Sequence, residues 1–293
     1  MPFKPFLTIE QQIEHLNAIG ICTENSSEVA DCLAEGNYYR LRAYWMTFER
    51  NGAVIPGTSF DQVWKTYCLD SELRHWLWTS LEPIEIKLRA QFAYHLAENC
   101  GPKSYLDSAH FSNRSQHAHL LASYERELAR AIKNQEPCAC HNMEKYGVLP
   151  IWAAVEIMTM GQVSSLYGLL INDRGMDSSA AETVSGVARA FGLRPTILKS
   201  WAQHLCGVRN VCGHHNRFYN RIMRVRPKLL ARDAKWASNK EFPTFLVLKR
   251  IYEVSWPEVW TKLIWELGST LEAYQDVPLE PMGFPTNWRG ILA

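Results

Sequence analysis

A chain of 293 residues with 47% hydrophobic and 21% charged residues has globular composition and is long enough to bury a large core. Lysines and arginines number 31 against 30 aspartates and glutamates, so overall charge selects no partner and any nucleic-acid surface must come from local clustering. The eight cysteines are scattered along the chain, which excludes a disulfide scaffold and fits reduced thiols.

The opening MPFKPFLTIEQQ has neither the apolar segment nor the small-residue cleavage pattern of a secretory leader. No stretch approaches the roughly 18 apolar residues of a membrane span. The expectation is a cytoplasmic protein with no membrane partner.

Thr8 with Gln11 forms a capping-box pattern, and Ile9, Ile13, Leu16 and Ile19 then recur at helical spacing until Gly20. A short helix is expected from Ser26 or Ser27 to Leu33. GNYYRLRAYW follows, with Arg40 and Arg42 among four aromatics that read chiefly as core and secondarily as a surface for stacking RNA bases. Ser59 caps a predicted long helix, and Pro83 fits the first turn of a second one ending before Gly101. Residues 101–116 read as loop, HLLASYERELARAIKN as an amphipathic helix, and NQEPCACHNMEKYGVLP as irregular. Helices are predicted over 151–171, 180–191, 196–226, 244–255 and 258–274. The proline-rich PLEPMGFPTNWRG is expected to be extended or turned. No segment alternates as a strand would, so the fold class is all-α.

The stretch RNVCGHHNRFYNR at 209–221 raises the functional question. Ile197, Trp201, Leu205, Val208, Cys212, Tyr219 and Ile222 make one predicted apolar stripe. Asn210, Gly213, His214, Arg217, Arg221 and Arg224 then share the opposite face. Arg209 precedes His214 by five positions, about 140° around a straight helix and about 7.5 Å along it. Three ways of joining them remain open: a long reach by Arg209, a distortion at Gly213, or completion by a second chain. An arginine with a histidine five positions later is a short pattern that chance supplies readily. Arg114 with His119 is a second instance, with no apolar stripe behind it.

Several blocks occur in order: GNYYRLRAYW, GTSFDQVWKTYCLDSELRHWLWTSLEPIEIKLRA, LPIWAAVEIMTMGQVSSLY, SWAQHLCGVRNVCGHHNRFYNR and PMGFPTNW. Together they resemble the Abi-like (abortive infection) family of bacterial phage-defence proteins, of the AbiD/AbiF type, over about residues 36–288. That family resembles the HEPN superfamily, whose ribonucleases carry an arginine, a polar residue after it, and a histidine four to six residues on. The resemblance implies a HEPN-like helical bundle with additional N-terminal helices: an N-terminal part over 1–110, a variable insert over 111–146, the motif-bearing bundle over 147–275, and a tail over 276–293, within one compact unit. It also implies a homodimer that brings two motifs into one cleft, with RNA as substrate and a structured non-coding RNA as a further partner. Arg209, Asn210 and His214 match the motif. His215 matches a gap longer by one residue. Asn216 stands where some HEPN toxins carry a tyrosine.

The chemistry suits these residues. RNA cleavage without a metal or cofactor uses the neighbouring 2′-OH as nucleophile. Histidine titrates near neutrality and moves the proton, while forked arginine donors meet charge on the phosphorane. Asn210 orients the imidazole or holds a phosphate oxygen. Arg217, Arg221 and Arg224 are candidate phosphate contacts, joined by Arg40 and Arg42. Glu156, alone on an apolar helix, is the expected partner of Arg209 or His214. Cys206 and Cys212 lie six apart, and Cys138, Cys140 and His141 lack a second pair, so neither group has the spacing of a structural zinc site. Trp64, Trp76, Trp78, Trp256, Trp260 and Trp265 are assigned to the core.

Overall fold

The computed structural model describes residue 3 and residues 5–293; residues 1, 2 and 4, at the start of the stretch read for a leader, lie outside it. The fold is all-α. Helices α1 (Ile9–Ala18), α2 (Ser26–Gly36) and α3 (Tyr38–Trp45) lead into a short antiparallel hairpin, β1 (Glu49–Arg50) with β2 (Ala53–Val54). Then come α4 (Phe60–Cys100), α5 (Arg114–Lys133), α6 (Pro137–Tyr146), α7 (Ile151–Ile157), α8 (Met160–Leu169), α9 (Ser178–Ala190) and α10 (Pro195–Gly213). An irregular strap over 214–230 leads to α11 (Phe242–Ser255), α12 (Pro257–Ala273) and α13 (Trp288–Leu292).

The 41-residue α4 organises everything else. The expected break at Pro83 is absent. Leu73, Leu77, Leu81, Ile84 and Leu88 are all buried at steps of three or four, so one stripe runs through the proline and packing outweighs its local cost. The Tyr252 hydroxyl donates to the Ser80 carbonyl at 2.8 Å, in the turn that the proline loosens. The first turns of α4 (Phe60, Val63) close a small core with α1–α3. From Leu69 onward the helix belongs to the main core with α7–α12.

Other boundaries also depart from the sequence reading. The predicted helix over 151–171 splits at Met158, because Thr159 and Gln162 form a capping box that starts α8 afresh. The stretch read as irregular contains α6, opened by Pro137 and closed by Gly147 in the left-handed region. The tail carries the short α13, whose Leu292 carbonyl accepts from the Trp260 indole at 2.8 Å. Among the described residues no helix is long and apolar enough to cross a membrane.

Two buried ionisable groups fasten the strap. His204, 1% exposed, faces the Val225 carbonyl with Nδ1 at 2.7 Å and the Thr244 hydroxyl with Nε2 at 2.9 Å. Nδ1 must therefore carry the proton, and Nε2 accepts. Glu241, fully buried, accepts from the Arg221 amide, and its second oxygen has no partner. Burial pushes His204 down to about 4 from 6.5 and Glu241 up to about 8 from 4.5.

The two groups act in opposite directions. For His204 the unfolded state binds more protons, so its contribution is present above 6.5 and is lost as pH falls towards 4. For Glu241 the folded state binds more, so its contribution is present below 4.5 and is lost as pH rises through 8. Their slopes cancel between the two ordinary values. Above pH 6.5 Glu241 acts alone, and stability is expected to fall by about 2 kcal/mol on going to pH 8. Melting temperatures across that range test this. Glu241→Gln should flatten the decline, and an unchanged decline would remove Glu241 as its cause.

Candidate functional site

Pro195 opens α10 at its first position, and Ile197, Trp201, Leu205, Val208 and Cys212 are buried as the stripe requires. The helix does not continue to 226. It ends at Gly213, with His214 as C-cap. The His215 amide donates to the Cys212 carbonyl at 3.0 Å and the Asn216 amide to the Val211 carbonyl at 2.9 Å, which is a Schellman closure. His215 occupies the left-handed position of that turn, with φ 53°, where glycine is usual.

A distant carboxylate fixes the chain beyond this turn. The Phe218 and Tyr219 amides donate to one oxygen of Asp70, on α4, at 3.0 and 2.6 Å. Tyr219 is buried by this turn rather than by a helix, and Ile222 is 65% exposed, against its expected place in the stripe.

Arg209 lies on the last full turn of α10. Its Nε is 3.3 Å from a Glu85 oxygen, and its guanidinium lies over the Trp78 ring at 5.0 Å from the centroid. Gly213 permits this arrangement, because a Cβ there would stand 2.8 Å from a Trp78 ring carbon. Glu85 also pairs with Arg89, whose Nη1 donates to the Val155 and Met158 carbonyls at the end of α7, the latter at 2.6 Å. A chain of contacts therefore runs from the C-terminus of α7 through Arg89 and Glu85 to the motif arginine.

Arg209, Trp78, Glu85, Ile86 and Glu156 are among the residues that line a cleft of about 260 Å³. Glu156 is exposed and pairs with neither Arg209 nor His214; the exposed turn of α7 needs no buried partner for it. The partner is Glu85. Nothing in PIEIKLR marked it beyond its spacing of four from Arg89. Trp78 and Trp265 are 43% and 71% exposed, against their assignment to the core, whereas Trp76 and Trp260 are buried.

Asn210 is exposed, with its amide 3.9 Å from the Cys206 sulfur. His214, His215 and Asn216 are exposed, and neither imidazole is hydrogen-bonded or ion-paired to a described residue. Cys212 is buried, which pushes its thiol up to about 12 and makes it a small apolar side chain.

The arginines after the motif share no helix face, because no helix is there. Arg217 Nη1 donates to the Ala43 carbonyl in the last turn of α3 at 2.7 Å. Arg40, on α3, donates to the His215 carbonyl at 2.7 Å. These two bonds clamp α3 against the turn that carries the histidines. Arg221 Nη1 donates to the Arg217 carbonyl at 3.1 Å. Arg42 and Arg224 are exposed and form no ion pair with a described residue. Tyr44 and Trp45 are core, while Tyr39 is 82% exposed.

The family model of the Abi-like protein matches residues 31–220, about two thirds of the chain. The chain belongs to the Abi-like family. No curated protein and no solved structure matches it. The Abi-like span runs from α2 to Asn220, so it takes in Asp70, Trp78 and Glu85 together with Arg209 and the histidine turn. Abi-like membership points to abortive infection, a phage defence, as the setting.

Proposed function

We propose that this Abi-like protein is a HEPN-type, metal-independent endoribonuclease, a toxin restrained until infection and acting as a homodimer. One observation supports this most: Arg209 is held at a cleft by Glu85 and Trp78, while the next turn presents two unengaged imidazoles. In this reading His214 moves the proton of the attacking 2′-OH, and Arg209 meets the charge that develops on the phosphorane. Asn210 orients the imidazole or holds a phosphate oxygen. His215 and Asn216 are auxiliary. The HEPN-like bundle then includes α4 as well as residues 147–275, because α4 supplies the two groups that fix Arg209.

Pairing of two copies is supported by the surface beside the cleft. Trp78, Ile86, Tyr94 and Trp152, on α4 and α7, are 43–60% exposed, and large apolar side chains left open in this way are what a partner surface would cover.

Incubation with total RNA in EDTA, followed by mapping of fragment ends, tests the reading. Cleavage should persist and leave 2′,3′-cyclic phosphate or 3′-phosphate ends opposite 5′-OH, and a substrate with 2′-deoxy at the cut position should stay intact. Ends bearing 3′-OH, or full dependence on a divalent metal, would falsify it. The second reading is a non-catalytic scaffold that grips a structured non-coding RNA, favoured by Arg42 and Arg224, which are exposed and form no ion pair with a described residue. It expects salt-dependent RNA binding without fragments.

A further inference from the structure

Where α5, α8 and α10 meet lies a second cavity, of about 390 Å³. Gln116 and His119 from α5, Ser165 from α8 and Gln203 from α10 line it, and Leu120 and Leu169 supply apolar wall. None of the four polar side chains is hydrogen-bonded to a described residue. The walls themselves are fixed. Gln162 Nε2 donates to the Ser123 hydroxyl at 3.1 Å and ties α8 to α5. Lys199 Nζ donates to the Gly168 and Leu170 carbonyls, both at 3.0 Å, and ties the end of α8 to α10. Donors and acceptors that the protein leaves unused therefore surround a space whose shape is already set.

This cavity shares a face of α10 with two residues of the motif. Asn210 and His214 follow Gln203 by seven and eleven positions, about 20° to either side of it around the helix and about 10.5 and 16.5 Å along it. All three are exposed. Gly207 stands between Gln203 and Asn210, and even a Cβ there would meet nothing within 4 Å, so the surface joining them is open at that point.

We infer that the cavity takes one unstacked base of the single-stranded RNA whose cut bond lies at His214, and that Gln203 reads the edge of that base. The inference rests on the ribonuclease reading for the identity of the strand. The lining argues for a base rather than a phosphate or a charged side chain, because it contains no aspartate, glutamate, lysine or arginine to balance a charge. Primary amides offer a donor and an acceptor side by side, as the edge of a base requires. The His119 imidazole and the two leucines offer surfaces for its flat face. His119, which the sequence paired with Arg114 as a chance copy of the motif, thus acquires a role in recognition.

Base preference tests this, read separately in binding and in cleavage. Fluorescent 2′-O-methyl strands of A, of C, of U and of alternating G and A, which have no free 2′-OH to attack, are titrated by anisotropy in EDTA. Affinities should differ by about fivefold or more between the preferred strand and the poorest, the lower end for one well-read base. Gln203→Leu keeps the bulk of the side chain, loses its donor and acceptor, and should level that difference. It should leave the slope of log K against log salt unchanged, since no charge is removed. Gln203→Glu replaces the NH₂ donor by a second acceptor and should change which strand is preferred. Melting temperatures should not move, because Gln203 is exposed and bonded to no described residue. Gln116→Leu, on the opposite wall, provides a second variant should either of these fail to fold.

Equal affinity for all four strands overturns the pocket, as does a preference that survives both leucine variants. No RNA binding by the unaltered protein overturns it as well. A nucleoside mixture that raises the melting temperature of the unaltered protein but not of Gln203→Leu, without any strand preference, would give the cavity to a free nucleoside and overturn its place on the strand. A preference levelled by Gln203→Leu in a protein that leaves no cleavage fragments keeps the pocket and removes the nuclease. Fragments whose mapped ends show the same sequence preference in Gln203→Leu as in the unaltered protein keep the nuclease and remove the pocket.

Discussion

His214→Ala should lower RNA cleavage by about 10²–10⁴-fold, the range for a group that moves a proton in the transition state. Its melting temperature should scarcely move. The His214 side chain is exposed and unengaged, and the backbone bond from its amide to the Asn210 carbonyl survives the change. His215→Gly separates the two imidazoles. At φ 53° glycine is free of the strain that a Cβ meets, so this variant should gain about 1 kcal/mol. If it also keeps full activity, His214 is the acting residue; if activity is lost while stability rises, the role passes to His215. Arg209→Lys should lose nearly as much activity as Arg209→Ala. Lysine keeps the charge but loses the Nε–H that meets Glu85 and the planar face that lies on Trp78. Initial rates beside thermal melts check all four variants. An Arg209→Lys protein cleaving at the original rate would remove the forked-donor argument.

Local signals explain why parts of this fold were legible. Thr8 with Gln11 forms its capping box and Ser59 caps α4 as expected, the latter in a box with Gln62, and Pro195 opens α10. Each involves residues three positions apart or fewer, so sequence alone specifies them. A local signal was also available at Thr159 with Gln162, where the same pattern divides α7 from α8. The end of α10 is a different case. VCGHHN carries no glycine at the left-handed position, and the stripe continues formally through Tyr219 and Ile222. The chain leaves the helix because the amides of Phe218 and Tyr219 are taken by a carboxylate 148 and 149 residues earlier. No window of sequence contains that bond. The same holds for Glu85, whose pairing with Arg209 spans 124 residues.

Asp70→Asn should cost about 3–5 kcal/mol, the range for breaking a buried ion pair by removing one partner. Asp70 is fully buried, and its carboxylate gathers three separate pieces of the fold: the Arg74 guanidinium on its own helix, the Tyr44 hydroxyl from α3 at 2.6 Å, and the two amides of the strap. Burial raises its pKa, and the guanidinium, the hydroxyl and the amides all work against that rise. Asparagine keeps one oxygen for the amides. It turns an NH₂ donor towards a buried guanidinium and a hydroxyl that both need an acceptor. Arg74, with a side chain 7% exposed, is then left as an uncompensated cation. Thermal or urea unfolding measures the loss. Asp70→Asn combined with Arg74→Met should recover part of it, because the double variant no longer buries an unpaired charge. A double variant as unstable as the sum of its parts would show that the two residues act independently. Activity should fall in Asp70→Asn at temperatures where the protein is still folded. The strap that it anchors begins at the histidine turn, so that turn loses its fixed end even though Asp70 itself is buried away from the surface.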